Sequence, residues 1–146
     1  MFQKKKQAKG DDESVFERLA EILQIISDGK SVLLLQTIFL SDGDTSEVLR
    51  TRLKLGRKQY YSRMSRMSKA GLVKRQKGRY FVTAFGKVVC DAHRLLISAV
   101  KNHWKLEAID SLKVSDHDMS KEERAKIIDK LIGNQQIKQI LLSPDF

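Results

Sequence analysis

A chain of 146 residues, 41% of them hydrophobic, can bury one ordinary core with an extension and is too short for two full domains. Its 7% aromatic content argues against a large aromatic cleft, and a single cysteine, Cys90, excludes an internal disulfide and fits a reducing compartment. A formal charge of +10 favours a polyanionic partner, nucleic acid ahead of an anionic membrane surface.

Residues 1–12 are polar and charged, with Lys4, Lys5, Lys6 and Lys9, and read as a disordered basic arm. The start MFQKKKQAKG lacks the apolar core of a signal peptide, and no apolar run approaches the ~18 residues of a membrane span, so the expectation is a soluble cytoplasmic protein. Ser14-x-x-Glu17 has the pattern of a capping box. Val15, Phe16, Leu19, Ala20, Leu23 and Ile26 then recur at helical spacing, predicting a helix that ends near Asp28-Gly29. The run KSVLLLQTIFL, residues 30–40, predicts a buried helix. After a turn at Ser41 to Asp44, Asp44 or Thr45 can cap a short helix through Leu53, with Val48, Leu49 and Leu53 facing inward and Leu55-Gly56 supplying the next turn.

The stretch from Arg57 to Thr83 carries most of the functional signal. Tyr60, Met64 and Met67 fall on one helical stripe and read as core, while Lys58, Ser62, Ser65, Arg66 and Lys69 form the opposite face. Gly71 stands where a helix needs a left-handed terminating residue. LVKRQ and RYFVT have strand composition, and Gln76-Lys77-Gly78 suits a three-residue hairpin with Tyr80 and Val82 turned inward. From Arg50 to Cys90 every one of the thirteen charged residues is basic, which localises the field on this helix and hairpin. A helix with one dry and one cationic side, joined to a cationic hairpin, suits a reader of the DNA major groove.

Thr83 can cap a following helix that runs without an obvious break to about Leu112. Phe85, Val88, Ala92, Leu95, Ala99, Asn102, Leu106 and Ile109 follow the three-four alternation of a coiled-coil seam, widened by Val89, Leu96, Val100 and Trp104. This predicts a homodimer through residues 84–112; the alternative is that the first helix and the C-terminal segment fold back over the same surface. KVSDHD, residues 113–118, reads as a polar link. Ser120-x-x-Glu123 repeats the capping-box pattern ahead of a helix containing Ile127, Ile128, Leu131 and Ile132, and Ile137, Ile140, Leu141 and Leu142 form a last short helix. The fold class is therefore mainly α with a small β-hairpin. A domain over 13–112 follows the basic arm, and 113–146 is a C-terminal helical extension.

Over roughly residues 30–95, the run LKLGRKQYYSRMSRMSKAGLVKRQKGRYFVTAFGKVV resembles winged helix-turn-helix DNA-binding proteins of the kind common among archaeal transcriptional regulators. The resemblance rests on a helix ending in KAGLVKR, a hairpin "wing", and an aromatic strand ending at Thr83. It implies that the 57–70 helix enters the major groove while the hairpin, 72–83, lies on the backbone. Base-edge contact would fall to Lys58, Gln59, Tyr61 and Ser62 near the helix start, with Arg57 beside them. Arg63, Arg66, Lys69, Lys74, Lys77 and Arg79 would meet phosphates. The chain departs from the family pattern at Tyr60, where relatives often carry a small aliphatic residue, so the phenol needs a partner. Tyr61 is open to either groove contact or packing on a neighbouring helix.

No nucleophile with an adjacent base, phosphate-cradling glycine loop or catalytic carboxylate pair is present in the sequence, so an enzyme is not expected. Cys90-x-x-His93 lacks two further ligands, and neither a metal nor another cofactor is expected. The reading is a sequence-specific, double-stranded-DNA-binding regulator associated with the nucleoid. A non-specific chromatin-like protein and a winged helix that binds RNA or protein are the alternatives.

Overall fold

The computed structural model describes residues 2–41, 43–115 and 119–144. It is mainly helical with one two-stranded antiparallel sheet, as the sequence predicts. The chain divides into two compact units, Met1–Cys90 and Asp91–Phe146. The first holds α1 (Phe2–Ile25), α2 (Gly29–Ser41), α3 (Ser46–Arg52), α4 (Arg57–Lys69), β1 (Val73–Gln76) and β2 (Arg79–Val82). Helix α5 (Ala84–Lys101) begins in it, and the second unit continues with α6 (His103–Ser115), α7 (Lys121–Leu131) and α8 (Gln135–Leu142).

Several boundaries differ from expectation for local reasons. The segment expected to be a disordered arm is helical from Phe2, so Ser14 and Glu17 lie inside α1 rather than at its start. Lys, Gln and Ala are good helix formers, so this composition is compatible with helix through the stretch. Asp28 does not close α1; it opens α2, its carboxylate accepting from the Ser31 amide at 2.9 Å. Thr45 occupies the cap position of α3 without a side-chain bond, and Asp44 instead pairs with Arg52 at 3.0 Å. Val48, expected inward, is exposed. Between α3 and α4 the left-handed residue is Lys54, at φ 52°, rather than Gly56, which caps α4 in an extended conformation.

The first core gathers around Leu34, Leu35, Leu49, Tyr60, Met67 and Leu72, all inaccessible to solvent. Helix α4 ends as its sequence requires: the Gly71 amide donates to the Ser68 carbonyl, the Leu72 amide donates to Met67, and Gly71 takes φ 80°. The hairpin is tighter than expected. Gln76 pairs directly with Arg79, leaving Lys77 and Gly78, at φ 51° and 76°, as a two-residue turn with both centres left-handed. A further antiparallel bridge joins Thr45 to Arg79, tying the segment before α3 to β2.

Thr83 fixes the start of α5. Its hydroxyl donates to the Gly71 carbonyl and accepts from the Gly86 amide at 2.9 Å, while its own amide donates to Leu72 at 3.0 Å. Gly86 lies against this junction so closely that a Cβ would collide with the Leu72 carbonyl oxygen and stand 2.6 Å from Val82 Cγ1.

In the second unit, the helix expected to run unbroken over 84–112 is interrupted at Asn102. The Asn102 side chain donates to the Ser98 carbonyl at 2.7 Å, the competition with the backbone ladder that short amide side chains offer. Ile109, Ile128, Ile132 and Ile137 form a separate core, with Leu95, Ala99, Leu106, Leu131 and Leu141 packed around it. Part of the expected intermolecular seam is thus covered by α7 and α8 of the same chain. Ser120 and Asn134 cap those helices, accepting from the Glu123 and Ile137 amides. Because α6 runs to Ser115, the expected polar link starts later, and Asp116, His117 and Asp118 lie outside the described residues.

Replacing Gly86 by alanine forces backbone apart from backbone, which a flexible side chain cannot relieve. The expected loss is about 1–3 kcal/mol, read as a lower thermal midpoint, with Ala84→Gly on the exposed side of the same turn as a milder control.

Candidate nucleic-acid interface

Helix α4 is held by its dry side. Tyr60, Met64 and Met67 are 0%, 2% and 0% exposed, and their spacing leaves Lys58, Ser62, Ser65 and Lys69 along the opposite, exposed ridge. Arg57 and Tyr61 flank that ridge on one side, Gln59 and Arg66 on the other, and all four are exposed. Ser65, put on the outward face by the helical wheel but not assigned on resemblance, completes the ridge between Ser62 and Lys69. No acidic residue of α4 or the hairpin interrupts this surface.

Arg63 departs from the expectation. Its side chain is 16% exposed and turned inward, where Nη2 donates to Asp28 Oδ1 at 3.3 Å and Nη1 to the Gln59 carbonyl at 3.3 Å. Its Nε is buried without a hydrogen-bond partner. A guanidinium engaged this way anchors α4 to the start of α2 instead of meeting a phosphate. Burial works against ionisation of Asp28, but the Ser31 amide and hydroxyl together with Arg63 outweigh it and hold the pKa down to about 2, from an ordinary 3.8.

The hairpin sorts its residues by strand alternation. Val73, Tyr80 and Val82 turn into the core, and Lys74, Gln76, Arg79 and Phe81 share the other face. Lys77 stands at the turn. Arg79 is exposed yet partly committed, its Nη1 donating to the Gly43 carbonyl at 3.2 Å, and Gly43 is pressed under the Phe81 ring. Arg75, not assigned from sequence, lies with its guanidinium 5.8 Å from the Tyr80 ring centre, a cation–π distance.

Two shallow hollows border α4. One is lined by Ser46, Glu47, Arg50, Arg57 and Tyr61, which adds Arg50 of α3 to the cationic surface. The other brings Arg66 and Lys69 beside Arg18 and Glu21 of α1. Tyr61 is 55% exposed and meets Tyr60 edge-on with centroids 5.2 Å apart, so it packs at its base while presenting its outer edge. The Tyr60 phenol is buried, which raises its pKa; Ser46 acts on it, but no hydrogen bond of good geometry forms.

Cys90 is buried in the first core, and burial pushes the His93 imidazole below its usual pKa. Among the described residues no three His, Cys, Asp or Glu side chains converge as a metal would need, and no helix is long and apolar enough to cross a membrane. Comparison of the chain with family models, with curated proteins and with solved structures finds no match to any of them.

Two measurements test this geometry. A carboxylate with a depressed native pKa stabilises the fold above its unfolded pKa and loses that effect as pH falls through the native value. The urea midpoint should therefore drop between about pH 4 and pH 2 in the parent, and drop less in Asp28→Asn, the two curves converging in acid. Tyr60→Phe removes an unsatisfied buried hydroxyl and should leave stability unchanged or raise it by up to ~1 kcal/mol in the same assay.

Proposed function

We propose that the chain is a sequence-specific, double-stranded-DNA-binding transcription regulator of the archaeal winged helix-turn-helix type, acting on the nucleoid as a homodimer. The observation that carries this reading is the exposed ridge Lys58, Ser62, Ser65 and Lys69 on a helix fixed by Tyr60, Met64 and Met67, inside an interval of thirteen basic residues without an acid.

An α-helix fits the major groove, and the side chains at its outward start are those that reach base edges. Here these are Lys58, Gln59 and Ser62, with Tyr61 at the margin, and each offers hydrogen-bond donors or acceptors in addition to charge. Arg57, Arg66 and Lys69 on α4, Arg50 on α3, and Lys74, Lys77 and Arg79 on the hairpin then neutralise phosphates on either side. Arg63 acts as a positioning residue. The bridge between Thr45 and Arg79 supports the winged reading, since it adds a third short strand position beside the hairpin. Exposed Val88, Leu96, Val100 and Trp104 on α5 and α6 support the dimer.

Binding to a fluorescent duplex should weaken with salt, with a log–log slope of about 0.9 per phosphate neutralised. Lys58→Glu with Arg66→Glu should abolish binding while leaving the helical circular dichroism intact, whereas Arg63→Ala should lower stability more than affinity. Selection from random duplexes should enrich a palindrome with half-sites ~34 Å apart or a multiple. Salt-insensitive binding, or full affinity in the double variant, would refute the reading. Equal competition by any duplex would instead favour an architectural, sequence-independent protein.

A further inference from the structure

The geometry points to the outward face of the hairpin as a stacking platform for one unpaired nucleotide of a DNA strand, with Phe81 against the base. This rests on the DNA-binding part of the preceding reading and adds single-stranded DNA as a second ligand, on an element other than α4.

Strand pairing assembles the platform. Lys74 stands directly across from Phe81, and Gln76 across from Arg79, so the four share one face. The other face sends Val73, Tyr80 and Val82 into the interior. Phe81 is thus an aromatic residue turned away from the interior, and it belongs to neither hydrophobic core. Together with Lys77 of the turn, Gln76, Arg79 and Phe81 line an open hollow of ≈ 510 Å³, a size that suits one small organic group.

One glycine orients both the ring and the cation beside it. Gly43, at φ 94°, lies so close to the Phe81 ring that a Cβ there would stand 2.8 Å from its Cε1 and Cζ. The carbonyl of the same glycine accepts from Arg79 Nη1 at 3.2 Å. Backbone therefore supports the ring, and the guanidinium is held near it before any ligand arrives. Asp44, the next residue, pairs with Arg52 at 3.0 Å rather than with Arg79.

The chemistry of the face selects its ligand. A phosphate contact alone requires only cations and gives an outward phenylalanine no part. An apolar partner would have to desolvate the ammonium and guanidinium groups around the ring. A flat aromatic group with an anion on either side uses both features, and a nucleotide within a strand is such a group. Inside a duplex each base face is covered by its neighbours, so an unpaired nucleotide is the one that can offer its face to Phe81. The Gln76 amide can donate to the base edge or accept from it, while Lys74, Lys77 and Arg79 meet the flanking phosphates.

The test uses the full chain and a short oligodeoxythymidine carrying 5-iodouracil, a base that crosslinks on irradiation to an aromatic side chain stacked against it. The expected crosslink, located by mass spectrometry of the digested product, is at Phe81. Phe81→Leu keeps an apolar side chain over Gly43 but removes the flat face. It should lower affinity for the oligonucleotide roughly fivefold or more and leave duplex affinity unchanged. Lys58→Glu with Arg66→Glu should retain the crosslink at Phe81 although duplex binding is lost, which separates this site from the α4 ridge. Circular dichroism checks that both variants hold the parental helix content, and the crosslink in the parent depends on neither. The proposal is overturned if the parent does not bind the oligonucleotide at physiological salt, or if the crosslink maps to other residues. An equal loss of duplex affinity in Phe81→Leu also overturns it, since the ring would then serve the fold or the duplex contact. A parent that fails to bind duplex while the Phe81 crosslink forms would refute the preceding reading and leave this site standing.

Discussion

The contact among the Leu72 carbonyl, Thr83 and Gly86 is the constraint on which the first unit depends. Three things meet there: the left-handed end of α4, the return strand β2 and the first turn of α5. A side chain at residue 86 would wedge them apart, and loss of the Thr83 hydroxyl would leave the Gly86 amide without its cap. Because this junction is made of backbone, it fixes α4 and the hairpin relative to one another more firmly than side-chain packing would. The cationic ridge of α4 and the cations of the hairpin are therefore carried on one fixed frame.

Charge and anchoring are kept apart on the same helix. Exposed lysines and arginines on α4 repel one another weakly through water and salt, whereas the apolar side chains beneath them are removed from water altogether, so burial decides the helix's position. Arg63 is the exception that shows how the division is maintained. Its guanidinium is drawn under the helix by Asp28, the same carboxylate that caps α2, so one acidic group orders the start of one helix and the flank of another. Arg79 is divided similarly between the Gly43 carbonyl and solvent.

The parts of the fold set by local periodicity and turn chemistry were legible in the amino-acid sequence. Tyr60, Met64 and Met67 could be placed because a helical period admits one face for them, and Gly71 because a helix end needs a residue tolerant of positive φ. What escaped depended on competition between signals. Asp28-Gly29 reads equally as a stop and as a cap, and only the Ser31 amide decides. The heptad spacing continues through Asn102, the one polar position of the seam, while the break comes with its side-chain amide reaching the Ser98 carbonyl. Helix α1 begins at Phe2, in a stretch whose lysines and glutamine carry no apolar periodicity to mark it. At the interface, exposure of Lys58, Ser62 and Lys69 followed from the wheel, but the inward turn of Arg63 required knowing where α2 begins.

Among the described residues β1 has one hydrogen-bonded neighbour, so its outer margin presents unpaired amides and carbonyls. Such a margin is a template on which another polypeptide can add a strand. Lys74 and Arg75 stand along it with Lys77 at its end, and a strand approaching from outside would have to bury or displace these ammonium and guanidinium groups. The cations of the hairpin thus oppose edge-to-edge association of one molecule with another.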